Sequence, residues 1–197
     1  TLELLDEEIP RLKKKIKSVQ LCFATDPFMY GFDEIIKTSL AAIKKLNEAG
    51  IRVSVLTKGV LPAELSTLSI ENEYGISLIS LEENYRKEIE PGAAPYGERI
   101  DSLKFLHDGG FKTWVSMEPY PTPNLINQSL SEILSAVDFT DRIIFGRTNY
   151  NKIVSSFEQH RKFYNECAKC VVDFCNEHSI AYHIKNGTIT EKKSSVP

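Results

Sequence analysis

The chain has 197 residues, of which 42% are hydrophobic and 26% charged, with a formal net charge of −3. That length and composition suit one packed domain and exclude a disordered chain. The acidic total argues against a chain that is basic throughout for nucleic acid, and no apolar run approaches the roughly 20 residues that span a bilayer, so no membrane partner is expected.

"TLELLDEEIPRLKKKIKS" opens inside a helical pattern, with no capping residue before its first apolar position. An N-terminal helix over residues 1–17 is expected, with more chain upstream of Thr1. Its "RLKKKIK" segment reads as a solvated helix face before it reads as a nucleic-acid patch. "SVQLCFA" (Ser18 to Ala24) is short and rich in strand formers, a buried strand. "FDEIIKTSLAAIKKLNEAG" then places Ile36, Leu40, Ile43 and Leu46 on one helical face, with Asp33 and Glu34 in the first turn and Gly50 as the stop.

"RVSVL" (Arg52 to Leu56) predicts a second strand, "LPAELSTL" a short helix and "GISLI" (Gly75 to Ile79) a third strand. "YGERIDSLKFLHDGG" reads as a helix with Ile100, Leu103 and Leu106 inward, ended by a glycine pair, and "TWVSM" as the fourth strand. That strand delivers Glu118 into "PYPTPN", where the prolines predict a stiff loop. Ser129 stands three residues before Glu132, the spacing of a capping box, and Ser155 and Glu158 repeat it at the start of a long last helix. "RIIF" (Arg142 to Phe145) and "AYHI" (Ala181 to Ile184) supply the fifth and sixth strands, before a polar tail.

Strand and helix thus alternate without a linker, which predicts parallel strands joined by right-handed crossovers in one α/β domain over residues 18–187, with a flexible tail over 188–197. Periodicity alone does not separate an open sheet from a barrel. Neither GxGxxG nor GxxxxGK[ST] follows the first strand, so the common nucleotide fingerprints are absent. No charged-then-apolar leader opens the sequence, and four cysteines form no disulfide framework, so the cytoplasm is the expected location.

Polar residues follow each strand: Thr25 and Asp26, then Thr57 and Lys58, then Ser80, Glu82 and Glu83, then Glu118, then Arg147, Thr148 and Asn149. In parallel α/β folds the carboxyl ends of the strands form one rim where sites are built. Such residues also serve as turn and capping residues, but five rims in succession favour a site. Pro27 biases Asp26 towards extended backbone, which would project its carboxylate over the rim towards Lys58 and leave folding nearly indifferent to Asp26→Asn. Cys167 and Cys170 share a helical face with Phe163, Val171 and Phe174, and Cys175 adjoins it, so these thiols and mid-strand Cys22 are expected in the core rather than on a metal. The four histidines show no metal-binding spacing. Tyr96, Tyr120 and Tyr150 near the rim either stack on a base or plug a barrel.

"SLISLEENYRKEIEPGAAPYGERIDSLKFLHDGGFKTWVSMEPYP" resembles the middle of a radical SAM domain, in the branch related to spore photoproduct lyase and DNA-repair-photolyase-like proteins. "ATDP" closing a strand, "EPGAAP" before the helix, the strand "TWVSMEP" and then "IIFGRTNYN" carry the likeness, in that order, over Ser18 to Ile184. The resemblance implies a partial (β/α) barrel of the radical SAM type, binding S-adenosylmethionine at the strand C-termini, with the first strand and cluster loop upstream of this chain. By position, Thr25 and Asp26 would meet the amino-acid end of the cofactor, Lys58 its carboxylate and Ser77 the ribose. Glu118, with the backbone from Gly146 to Asn149, would line the adenine side or the substrate mouth.

The implied activity is a lyase-like radical reaction, in which an iron–sulfur cluster (4Fe-4S) cleaves S-adenosylmethionine to a deoxyadenosyl radical that acts on an unknown substrate. A nucleic-acid partner is implied by the resemblance alone. The family's CxxxCxxC is not in this sequence, so the cluster ligands are expected upstream, and Ala24, Thr25 and Asp26 stand where spore photoproduct lyase carries a hydrogen-donating cysteine. Two other readings stay open. One is a non-catalytic barrel that binds a nucleoside-like ligand or a completing partner chain. The other is a metal-free aldolase-like or hydrolytic enzyme using Lys58 or Glu118.

Overall fold

The computed structural model describes residues 2–22 and 24–190. Its described residues form one six-stranded sheet whose neighbours are all parallel and follow sequence order. The strands are β1 (Ser18–Leu21), β2 (Arg52–Thr57), β3 (Glu73–Ser77), β4 (Lys112–Tyr120), β5 (Arg142–Arg147) and β6 (Ala181–Ile184). A helix α1 (Leu2–Leu12) precedes them, and α2 (Asp33–Glu48), α3 (Glu83–Ile89), α4 (Tyr96–Asp108), α5 (Leu130–Ser135), α6 (Lys152–Ser156) and α7 (His160–His178) lie between them. Sequential order with crossovers of one hand keeps the helices on one face and curls the sheet. β1 and β6 do not pair, so the barrel is open.

Period-two alternation divides the strands between two faces. Val53, Val55, Tyr74, Ile76, Val115, Met117, Ile143 and Phe145 pack into the core under the helices. The alternate residues form rows across the inner face, Leu56–Gly75–Trp114–Arg142 and, one step nearer the strand C-termini, Ser77–Ser116–Ile144. The indole of Trp114 lies across Gly75, where an added Cβ would sit 2.4 Å from Trp114 Cε2. The Arg142 guanidinium stands 5.4 Å from the Trp114 ring and pairs with Glu73 at 3.3 Å. This stack fills the inner face towards the strand N-termini.

Several element ends differ from the pattern read in the sequence, each for a local reason. β1 stops at Leu21, Cys22 follows it half-buried, and Phe23 lies outside the described residues. β3 runs from Glu73 to Ser77, because Glu73 and Tyr74 already pair with β2 and β4. β4 continues through Glu118 and the cis-linked Pro119 to Tyr120, and its register with β5 shifts between Met117 and Tyr120. An irregular ladder of this kind accommodates a residue without an N–H.

Ser129 caps α5 as its spacing predicts, accepting from Glu132 N at 3.3 Å. Ser155 does not cap the last helix. Asn151 caps α6 instead, accepting from Ile153 N and Val154 N, and the chain breaks at Phe157 before α7. Cys167 and Cys175 lie in the core, but Cys170 is exposed: Cys167 already stands at the edge of the stripe of Tyr164, Cys167, Ala168, Val171 and Cys175, and Cys170 lies about 60° farther out. Tyr96 and Tyr120 are buried and plug the fold, whereas Tyr150 is fully exposed. Thr188 is buried and accepts from Arg147 N at 3.3 Å; the expected tail beyond Thr190 lies outside the described residues.

Candidate functional site

The C-terminal ends of β1 and β2 are clasped by Asp26. Its Oδ1 accepts from Phe28 N at 3.0 Å and from the Thr57 hydroxyl at 2.5 Å, and its Oδ2 accepts from Lys58 N at 2.7 Å. Thr57 Oγ1 in turn accepts from Gly59 N at 2.8 Å. Only glycine fits at position 59, because a Cβ there would lie 1.6 Å from the Phe28 carbonyl oxygen. The carboxylate of Asp26 does reach Lys58, but through its backbone N–H and not through its ammonium. Thr25 points elsewhere, lining a 580 Å³ cavity with Cys22, Pro27, Glu34 and Thr38 between the end of β1 and α2.

The Lys58 ammonium lies 2.6 Å from Glu90 Oε1, an ion pair without good hydrogen-bond geometry. Glu90 Oε2 accepts from Arg99 Nη2 at 3.1 Å. Arg99 also donates to Ala94 O and to Ser77 O, each at 2.8 Å, so one guanidinium ties the β3 end to the loop beside Lys58. The Glu90–Pro95 turn is held by Ala93 N donating to Glu90 O and Ala94 N to Lys58 O. Glu83 starts the next step of the frame: its carboxylate accepts from Arg86 Nε and from Tyr96 N at the head of α4. Desolvation pulls Glu83 up, but the Arg86 hydrogen bond and the Tyr96 N–H outweigh it and hold the carboxyl below its ordinary range.

Ser77 and Ser116 sit side by side on the inner face, both nearly buried. Farther round the rim, Glu118 pairs with Lys185 at 3.1 Å, and its carboxyl lies over Gly146, where a Cβ would be 2.8 Å from Glu118 Cδ. Asn149 accepts from Arg147 Nε at 2.9 Å, and Thr148 donates to Tyr120 O at 2.8 Å. Asp26, Lys58 and Ser77 therefore occupy neighbouring strand ends, joined by a continuous polar frame. Glu118 and Asn149 belong to the far side of the mouth, and Thr25 to the outer edge.

Glu90, Arg99, Ser116 and Lys185 were not singled out by sequence. Arg99 carries a legible signal: Tyr96, Arg99, Leu103 and Leu106 are the buried residues of α4, so a charge stands at an apolar-stripe position. Burial pushes the thiol of Cys167 up to about 12 and that of Cys175 to about 11, and raises those of Cys22 and Cys170. Among the described residues no group of three or more His, Cys, Asp or Glu side chains is placed to hold a metal ion. No helix among them is long and apolar enough to cross a membrane.

An open parallel (β/α) barrel with a polar C-terminal rim defines a class of α/β enzyme scaffold. The radical SAM superfamily model matches residues 1–137, and the chain belongs to that superfamily. A curated relative, the uncharacterized protein ORF301 of Acidianus two-tailed virus, is 28% identical over 142 residues, covering 68% of this chain and 46% of its own. The chain thus spans about half the length of the curated relative it matches.

Three solved structures share the fold. Streptococcus suis SuiB bound to S-adenosylmethionine has a TM-score of 0.63 at 17% identity, covering 93% of this chain and 42% of SuiB. A spore photoproduct lyase variant with bound S-adenosylmethionine and dinucleoside spore photoproduct has a TM-score of 0.63 at 12% identity, covering 92% of this chain and 64% of that one. A domain of a pyruvate-formate lyase-activating enzyme from Bacteroides vulgatus has a TM-score of 0.60 at 12% identity, covering 85% of this chain and 98% of that domain.

Proposed function

We propose that this chain cradles S-adenosylmethionine at the C-terminal ends of β1, β2 and β3, as part of a radical SAM enzyme. The observation that carries the proposal is the joining of Asp26, Lys58 and Ser77 on adjacent strand ends by the Asp26 clasp and the Glu90–Arg99 bridge, inside the stretch matched by the family model. The donor set suits a zwitterion attached to a ribose. The Lys58 side chain is 43% exposed and keeps N–H donors for a carboxylate. Asp26 Oδ2, with one partner, retains acceptor capacity for an ammonium. The Ser77 and Ser116 hydroxyls line the inner face where a ribose would lie. Thr25 at the outer edge, and Glu118 and Asn149 across the mouth, stay in the proposal as contacts of the cofactor's periphery or of the substrate.

When bound beside an iron–sulfur cluster, S-adenosylmethionine supplies a carbon radical by reductive cleavage. The described residues do not fit such a cluster, so in this proposal its ligands, those of a 4Fe-4S centre, come from outside them. Residues of this chain bind and orient: Lys58 neutralises a carboxylate, the clasp holds its backbone still, and Trp114 closes the inner face from below. A nucleic-acid substrate enters only through the resemblance to the DNA-repair branch. Calorimetric titration of S-adenosylmethionine into wild type and Lys58→Met tests the cradle. A loss of about tenfold in affinity supports it, in line with one charge-assisted contact, and equal affinities remove Lys58 from the site.

Among the described residues no strand pairs with the outer edge of β1, which supports a second reading, in which another strand or a partner chain completes the sheet. Sedimentation at micromolar concentration distinguishes self-pairing, which predicts dimers, from a monomer, which removes it.

A further inference from the structure

We propose that Glu90 and Arg99 are positioning residues: they fix the Lys58 ammonium at the rim and so set how tightly the site grips the carboxylate of an amino-acid-bearing nucleoside. This rests on the cofactor reading above. Neither residue need touch the ligand.

Three observations converge on the pair. Glu90 and Arg99 are buried, with side chains 3% and 0% exposed, while Lys58 on the same carboxylate is 43% exposed. Arg99 has no freedom to leave, since its guanidinium is spent on Glu90, Ala94 O and Ser77 O while its plane stands over the Tyr96 ring. Glu90 is therefore a fixed anchor, and Lys58 the one member of the cluster that reaches the mouth. Two cations share the Glu90 carboxylate, and of the two only Lys58 is exposed, so its ammonium keeps N–H donors for a further partner. Those donors favour an anionic group arriving at the exposed ammonium.

A buried charge cluster is a poor stabiliser compared with apolar residues of the same volume. Its cost here falls on the turn that sets Lys58, which is where a use in binding would place it.

The test compares two ligands, S-adenosylmethionine and 5′-methylthioadenosine, which keeps the nucleoside and lacks the amino-acid end. Wild type, Lys58→Met and the double variant Glu90→Gln/Arg99→Met are titrated calorimetrically with each. The double variant removes both buried charges together, so neither is stranded.

Both variants are expected to lose about tenfold or more for S-adenosylmethionine and to bind methylthioadenosine as wild type does. A double variant that holds S-adenosylmethionine at wild-type affinity, while Lys58→Met loses it, overturns the positioning role and leaves the cofactor reading standing. Parallel losses for both ligands show a merely structural role and also overturn it. A Lys58→Met variant without effect removes the cofactor reading of Lys58 and this inference with it. Should the double variant fail to fold, Arg99→Lys keeps the buried charge and gives up the fork; a selective loss for S-adenosylmethionine supports the proposal, and unchanged affinity refutes it.

Discussion

Asp26→Asn exchanges one carboxylate oxygen for an NH2 group and removes the charge. All three partners of the carboxylate are donors: Phe28 N and Thr57 Oγ1 on one oxygen, Lys58 N on the other. Turning the amide the other way would set its NH2 against the Phe28 N–H and take away the acceptor of the Thr57 hydroxyl as well. The amide therefore loses least by keeping its oxygen towards Phe28 and Thr57 and turning its NH2 towards Lys58, where it meets another donor. One charge-assisted hydrogen bond is lost and the Lys58 N–H is left unpaired, a cost of about 1.5–3 kcal/mol. For a domain of this size that lowers the thermal midpoint by about 3–12 °C. Thermal and urea denaturation measure it directly, and faster hydrogen exchange at the Lys58 amide localises it. A midpoint within about 1 °C of wild type would refute the clasp. The sequence alone places this carboxylate free above the rim; the structure commits it to the backbone.

Gly75→Ala puts a methyl group into the Trp114 indole, and overpacking of that kind costs about 1–3 kcal/mol; the single tryptophan reports the displacement as an emission shift, while unchanged emission and stability would contradict the stacked geometry. Glu83, whose carboxyl is held below its ordinary range, stabilises the fold above its unfolded-state value, and the contribution is lost as pH falls through the lower folded value. The stability gap between wild type and Glu83→Gln is therefore expected to be present at neutral pH and to shrink as pH falls below the ordinary glutamate range, with a small amplitude because the side chain is well exposed; a gap that does not change with pH is the contrary result. In thiol labelling at neutral pH, exposed Cys170 and half-buried Cys22 react first, and Cys167 and Cys175 only on unfolding; equal rates for all four would contradict the burial of the α7 stripe.

The periodicities made the fold legible. Ile43 and Leu46 are buried on α2 and the β2 and β5 cores match their apolar runs, because each segment buries one face and its pattern states which. What followed β4 was less legible: "MEPYP" looks like a loop by its prolines, yet the ladder shifts register and carries the strand to Tyr120. The candidate site was legible as a set of strand ends and not as a network. Residues 26 and 58 follow from topology and residue 77 from the family resemblance, whereas the route by which Glu90 and Arg99 join them runs through a turn whose hydrogen bonds no period encodes. Ser155 shows the opposite error. It has the spacing of a cap, but Asn151 starts a short helix four residues earlier, so Ser155 lies inside α6 and its hydroxyl donates back to Asn151 O.

Amide chemical shifts of the isotopically labelled chain, followed during titration with S-adenosylmethionine, test the proposed cradle most directly. Saturable changes are expected to gather at Asp26, at Thr57 to Gly59 and from Ser77 to Ser80, the ends of three neighbouring strands. Saturable changes confined to the far rim near Glu118 and Lys185, or no saturable change at all, would contradict it.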